Sequence, residues 1–196
     1  MKNNGVKVQM KIMKKESLTI NFILNSFIAF FSMLFPILSF PYVSRILHPE
    51  YVGRVSFAES LVTYFLLFSQ MGIPTYGTRE IAKVRSDRNQ LIQLTSQLFL
   101  INFSMAICSY IVLILASCMV PRLHEDQLLY LIMGLSLFMN AMSMDWLYKG
   151  LEEYGVLAKR SFGLKLLSLL SIFLLIHKQE DYLMYGFLYM LAAYGA

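Results

Sequence analysis

Residues 17–44, 60–78, 89–121, 127–144 and 166–176 contain no Asp, Glu, Lys, Arg or His, and a further apolar run begins at residue 182 and continues to 196. Helices cross a hydrocarbon core of about 30 Å with about 20 mostly apolar residues. Hydrophobic content of 57 % against 15 % charged residues is far from that of a water-soluble domain. The chain therefore reads as an all-α, polytopic membrane protein. Six helices are expected, over about 18–46, 57–78, 92–119, 127–145, 161–176 and 182–196, forming a transmembrane unit at 17–196 behind a basic tail at 1–16.

Basic residues set the expected orientation. Thirteen of the 17 fall in the tail (Lys2, Lys7, Lys11, Lys14, Lys15) and in two alternate connections (Arg79, Lys83, Arg85, Arg88; Lys149, Lys159, Arg160, Lys165). Arg45, Arg54, Arg122 and Lys178 occupy the other side. The positive-inside rule places the rich side, with the N-terminus, in the cytoplasm. The net charge of +5 then reports topology and anionic head groups, and gives no support to nucleic-acid binding. The first apolar run is too long for a signal-peptide core, and Phe40-Pro41-Tyr42 stands where a cleavage site would be. Cys108 and Cys118, ten residues apart on one helix, would be separated by about 15 Å, too far for a disulfide.

Polar residues inside the runs are spaced for one helix face. Asn21, Asn25, Ser32 and Ser39 lie within about 40° of one another at 100° per residue. Glu59, Thr63 and Gln70 repeat the device, as do Thr95, Asn102 and Ser109, and Ser136, Asn140 and Ser143. Such stripes either join helices by hydrogen bonds or line a polar cavity. Pro36 and Pro41 remove backbone donors, so a kink is expected near the far end of the first span. No span is expected to carry a charge at its centre; Glu59 reads as an interfacial carboxylate at the mouth of the second, within reach of Arg45 or Arg54. Trp146 and Tyr148 read as interfacial anchors, with 145–154 as a short amphipathic helix or a connector.

Chemical machinery is not visible. There is no GxxxxGK[ST] loop, and His48, His124 and His177 stand alone without metal-site spacing. No nucleophile–base–acid set follows from spacing. No cofactor or metal is expected, and no enzyme activity.

Three segments carry a resemblance: 34–47 (with Phe40-Pro41-Tyr42-Val43-Ser44-Arg45), 72–82 (Gly72-Ile73-Pro74-Thr75-Tyr76-Gly77-Thr78-Arg79-Glu80-Ile81-Ala82) and 145–154 (Asp145-Trp146-Leu147-Tyr148-Lys149-Gly150-Leu151-Glu152-Glu153-Tyr154). Together they cover about 18–165, and the middle one is the most specific. The chain resembles the polysaccharide-transporter, or O-antigen flippase, family of the multidrug/oligosaccharidyl-lipid/polysaccharide exporter superfamily. That resemblance implies two six-helix lobes around a central cavity. It implies export, by alternating access, of an undecaprenyl-pyrophosphate-linked oligosaccharide across a bacterial cytoplasmic (inner) membrane for O-antigen or capsule synthesis. Partners would be the bilayer, the lipid-linked sugar and other polysaccharide-assembly membrane proteins. The matching Arg45 and Arg79 become candidate substrate cations, and Glu80, Asp145 and Glu152 candidate gate carboxylates. From the stripes and kinks, Asn25 and Gln70 join the substrate candidates, and Glu59, Pro36 and Pro41 the gating or structural ones.

There are two departures. His48 stands where members of the family have glycine, and the chain stops inside the sixth helix, at less than half the family's length. It is thus expected to be an N-terminal lobe, a fragment or a truncated product unable to transport alone. Competing expectations are a drug or metabolite antiporter of the same superfamily, a scaffolding or inactive membrane fragment, and a membrane glycosyltransferase, which would want paired carboxylates or a large outer loop.

Overall fold

A computed structural model describes the backbone of residues 2–195 and the side chains of residues 19–195, Arg122 excepted. The side chains of the basic tail at 1–16 lie outside the described residues. Helix α1 runs over Lys2–Gln70. Its apolar part, Thr19–Gln70, has 52 residues, so at 1.5 Å per residue it is more than twice the thickness of a hydrocarbon core. It folds back on itself at His48, which has φ 62° and ψ 158°. Helical geometry runs through Pro36 and Pro41, and the break comes at the residue before Pro49, where the following ring disfavours α geometry. That φ/ψ pair belongs to a region almost reserved for glycine.

After α1 come α2 (Ile73–Val84), α3 (Arg88–Met119), α4 (Pro121–His124), α5 (Gln127–Gly134), α6 (Ser136–Ser143), α7 (Asp145–Gly150) and α8 (Tyr154–Leu175). A 3-10 turn over Gln179–Asp181 leads into α9 (Tyr182–Tyr194). Asp87 starts α3 by accepting the amides of Asn89 and Gln90, 3.0 and 3.2 Å away. The Tyr42 hydroxyl donates to the carbonyl of Ile176, 3.0 Å away, just past the end of α8.

Cross-chain contacts fix the relative directions. In the first arm of α1, Ser32 meets Lys165 and Tyr42 meets Ile176, so this arm and α8 run parallel. In the second arm, Arg54 meets Asp126 and Gln70 meets Asn140, so it runs parallel to α5 and α6. Gln127 reaches Cys118 while Phe103 packs on Phe138, which makes α3 antiparallel to α5 and α6. Segments around His48, Cys118–Gln127 and His177–Tyr182 thus gather at one end, the hinge end. Arg79, Asp145, Lys149 and Arg160 gather at the other, the basic end.

Thr19–Gln70, Arg88–Met119 and Gln127–Gly150 are long and apolar enough to cross a membrane. Helix α8 is also long enough, at 22 residues, but it carries Lys159, Arg160 and Lys165. The core between the helices is built from Val43, Leu47, Val62, Leu113, Leu129, Met133, Leu137 and Ile172, each nearly inaccessible. Gly134, at the break between α5 and α6, lets this span close on α3: a Cβ there would stand 2.6 Å from Leu113. Large exposed side chains such as Phe22, Met33, Phe68, Leu100 and Leu174 cover the outside, as suits helices whose solvent is lipid.

Candidate functional site at the basic end

Two connections at this end are built alike. The second arm of α1 stops at Gln70, where Met71 and Gly72 turn through φ 42° and 77°, and Pro74 opens the first turn of α2. Helix α6 stops at Ser143, where Met144 turns through φ 49° into α7. The two short helices then pack on each other. Gly77 receives the Trp146 ring, Gly150 receives Ile81, and the Thr78 hydroxyl donates to the carbonyls of Pro74 (2.7 Å) and Trp146 (3.3 Å). Trp146 is 3 % exposed, so it is a packing residue and not the surface anchor its flanking sequence suggests. Its burial leaves Leu147 and Leu151 against the same small cluster.

A cavity of about 570 Å³ opens beneath this pair. Gln70, Asn102, Asn140 and Ser143 enter it from three different helices. These are members of three sequence stripes, so at this level the stripes face one another across a shared space. Gln70 donates to the Asn140 side-chain oxygen at 2.9 Å, and Ser143 donates to the Asn140 carbonyl at 2.9 Å. Arg79 and Lys149 also line the cavity, and among the described residues neither has an ion-pair partner. Asp145, the carboxylate on this wall, is held by Arg160, which also donates to the Ser143 carbonyl at 2.9 Å. Free positive charge and amide groups therefore remain for a ligand. A smaller space of about 200 Å³ shares Asp145 and Lys149 and adds Asn25, Ser32, Ser161 and Lys165.

Arg79, Gln70, Asn25 and Asp145 are thereby brought to two adjoining cavities. Arg45 is not: it lies exposed at the hinge end in a cleft with Tyr51, His177, Lys178 and Glu180. Glu80 pairs with Lys83 at 2.6 Å on α2, and Glu152 pairs with Arg85 at 2.9 Å, tying the α7–α8 turn to the α2–α3 turn. Pro36 and Pro41 sit inside the first arm of α1, away from these spaces.

Two charges are deeper than their sequence positions suggest. Glu59 is not at a helix mouth, because helical structure resumes at Pro49; it lies about 15 Å along the second arm. Its partner is neither Arg45 nor Arg54 but the Tyr189 hydroxyl, 2.5 Å away. Arg54 is occupied at the hinge end by Glu50 and Asp126, at 2.9 and 3.0 Å. Lys165 is not in a connection, since α8 begins at Tyr154; it donates to the hydroxyls of Ser32 (2.8 Å) and Ser161 (2.7 Å). Arg160, Lys149 and Lys165 were not singled out by sequence reasoning as site residues. Only the fold brings α8 beside α7 and the first arm.

Among the described residues no cluster of His, Cys, Asp and Glu is placed to hold a metal ion. The arrangement binds and orients anions and hydroxyl-rich groups.

A family profile described as "Polysaccharide biosynthesis protein" matches residues 18–195. The chain belongs to this family. It is 27 % identical over 158 residues to the "Putative O-antigen transporter" of Escherichia coli (strain K12), an alignment covering 79 % of this chain and 37 % of the relative. The chain thus spans well under half the length of the curated relative it matches. No solved structure matches. Family membership and the apolar helices together make this a multi-pass, all-helical membrane protein of the polysaccharide-transporter family.

Proposed function

We propose that this chain is the N-terminal lobe of a flippase that moves a lipid-linked oligosaccharide across the bacterial cytoplasmic membrane, for O-antigen or capsule synthesis. The observation that carries this reading is the cavity at the basic end, where Arg79 and Lys149, without an ion-pair partner among the described residues, stand beside Gln70, Asn102 and Asn140. A pyrophosphate brought from water needs cationic donors to offset its desolvation, and sugar hydroxyls need amide partners. The basic end faces the cytoplasm in this reading, because most loop cations lie there. In this reading the six expected passes form half of a transport pathway, the other half coming from the part of the relative's length that this chain does not span.

In cells making the full-length protein that contains this chain, Arg79→Gln with Lys149→Gln should abolish surface polysaccharide. Lipid-linked repeat units should accumulate at unchanged protein level. Normal output from the double variant would refute the reading. Cysteine labelling tests the orientation: Lys83→Cys should react only after the cytoplasm is opened, and Gln179→Cys from outside. Glu59, a carboxylate at mid-depth, favours a second reading, a drug or metabolite antiporter of the same superfamily. Under that reading drug efflux, and not polysaccharide output, is lost in Glu59→Gln.

A further inference from the structure

An apolar groove of about 260 Å³ separates the first arm of α1 from α8, walled by Phe31, Leu34, Phe35, Leu38, Leu166 and Leu169. Its walls expose no polar surface, although Lys165 borders it. The lysine stem covers apolar surface while its ammonium turns to Ser32 and Ser161, an amphipathic placement. Two of the three ammonium N–H donors are used by these hydroxyls, so one remains. Among the described residues no carboxylate forms an ion pair with Lys165; Asp145 borders the same small cavity but is held by Arg160. A cation about 16 Å inside a 22-residue helix, with no carboxylate paired to it among the described residues, is costly unless an anion is supplied from elsewhere.

Direction is the second observation. The first arm and α8 run parallel, and Lys165 divides the space between them. Toward the basic end lies the polar cavity of Asn25, Ser161 and Lys149. Most of the apolar groove lies toward the hinge end, at Leu34, Leu38, Leu166 and Leu169, with Phe31 and Phe162 closing it beside Lys165. A lipid in the leaflet at the basic end has the same polarity, with its head group at that surface and its chain toward the middle of the bilayer.

We propose that this groove seats the hydrocarbon chain of a long-chain lipid monophosphate or pyrophosphate, with the phosphate nearest the chain on Lys165 and the rest of the head group in the adjoining cavities. This rests on the flippase reading and deepens it, giving the carrier lipid its own subsite on the N-terminal lobe. Charge complementarity selects a phosphate-bearing lipid, and a groove of about 260 Å³ between two helices selects a single chain.

The test uses the full-length protein containing this chain, in phosphatidylcholine nanodiscs, with radiolabelled decaprenyl phosphate as the probe. A single charge-assisted contact is worth about tenfold in affinity. Lys165→Met should therefore weaken binding about tenfold, and Lys165→Arg should restore it to within about twofold. Leu38→Trp fills the groove from a side chain that is already 45 % exposed; it should fold normally and, by keeping about two methylenes of the chain out of the groove, also lose about tenfold. Phosphatidylglycerol at equal concentration should not displace the probe. Unchanged binding in both Lys165→Met and Leu38→Trp overturns the proposal, and so does equal displacement by phosphatidylglycerol, which would make the groove an ordinary bilayer contact. Failure of the flippase reading looks different: Arg79→Gln with Lys149→Gln would leave polysaccharide output intact, while probe binding still depends on Lys165.

Discussion

Gly150→Ala is the sharpest test of the α2–α7 contact that roofs the cavity. A Cβ at Gly150 would stand 2.6 and 2.7 Å from side-chain atoms of Ile81 and 2.9 Å from the backbone oxygen of Thr78. A methyl carbon and an oxygen need more than 3 Å, and a helix carbonyl cannot rotate away as a side-chain tip can. The two helices must therefore separate by a few tenths of an ångström. Overpacking of this kind costs about 1–3 kcal/mol. For a domain of about 150–250 residues the heat-unfolding midpoint falls by about 2–4 °C per kcal/mol, and the longer full-length protein should show a smaller fall. The same alanine at Gly163, which has nothing within 4 Å, is the control. There the better helix propensity of alanine should leave stability unchanged or raise it by up to about 1 kcal/mol. The assay is thermal unfolding in detergent of the full-length protein, together with polysaccharide output, which the widened cavity roof should lower in Gly150→Ala alone. Equal midpoints for the two variants would refute the packing argument.

Three further outcomes follow from single sites. His48 is exposed and holds a backbone geometry that costs a non-glycine residue about 1–3 kcal/mol, so His48→Gly should raise the unfolding midpoint, less about 0.5–1 kcal/mol for the freedom glycine adds to the unfolded chain; a lowered midpoint counts against the hinge. Glu59→Gln keeps an acceptor for the Tyr189 hydroxyl, whereas Glu59→Leu strands it and should cost about 1–3 kcal/mol more in the same unfolding assay; equal midpoints would remove the bond. Hydrogen bonds donated by the backbone N–H groups of His177 and Lys178 hold the Asp181 carboxyl below the usual range, so its stabilisation of that turn is present above the ordinary carboxylate pKa and lost as pH falls through the lowered value. Amide exchange at His177 and Lys178, corrected for intrinsic rate, should accelerate through that acidic range, and Asp181→Asn should remove the dependence.

Much of this was legible in the chain because lipid imposes a simple rule: apolar runs become helices, and polar residues within them turn inward. That rule predicted an all-helical membrane protein, and it put Gln70, Asn102, Asn140 and Ser143 on faces that meet. It failed where helix ends mattered. Glu59 and Lys165 look peripheral when a helix is equated with its charge-free run. Each helix in fact begins several residues earlier, carrying Glu50 with Arg54 in one case and Lys159 with Arg160 in the other. Charges that find a partner, on the same helix as Arg54 does in Glu50 or on a neighbouring helix as Arg160 does in Asp145, can ride inside a helix, so they mark its ends poorly. Trp146 was misjudged for a related reason. Its neighbours are those of a surface anchor, and only the approach of Gly77, far away in the sequence on α2, encloses it. The glycine expected at position 48 has a physical cause in the left-handed hinge there, which sequence reading alone had no means to supply.

In the proposed transport cycle Arg79 and Lys149 receive an anionic head group on the cytoplasmic side and pass it across. This role is tested most directly by reconstituting the full-length protein in liposomes with a fluorescent polyprenyl-pyrophosphate oligosaccharide and following its exposure to a membrane-impermeant quencher. Wild-type protein should exchange the lipid between leaflets, and Arg79→Gln with Lys149→Gln should stop the exchange while the protein stays folded. Exchange by the double variant at the wild-type rate would contradict that role.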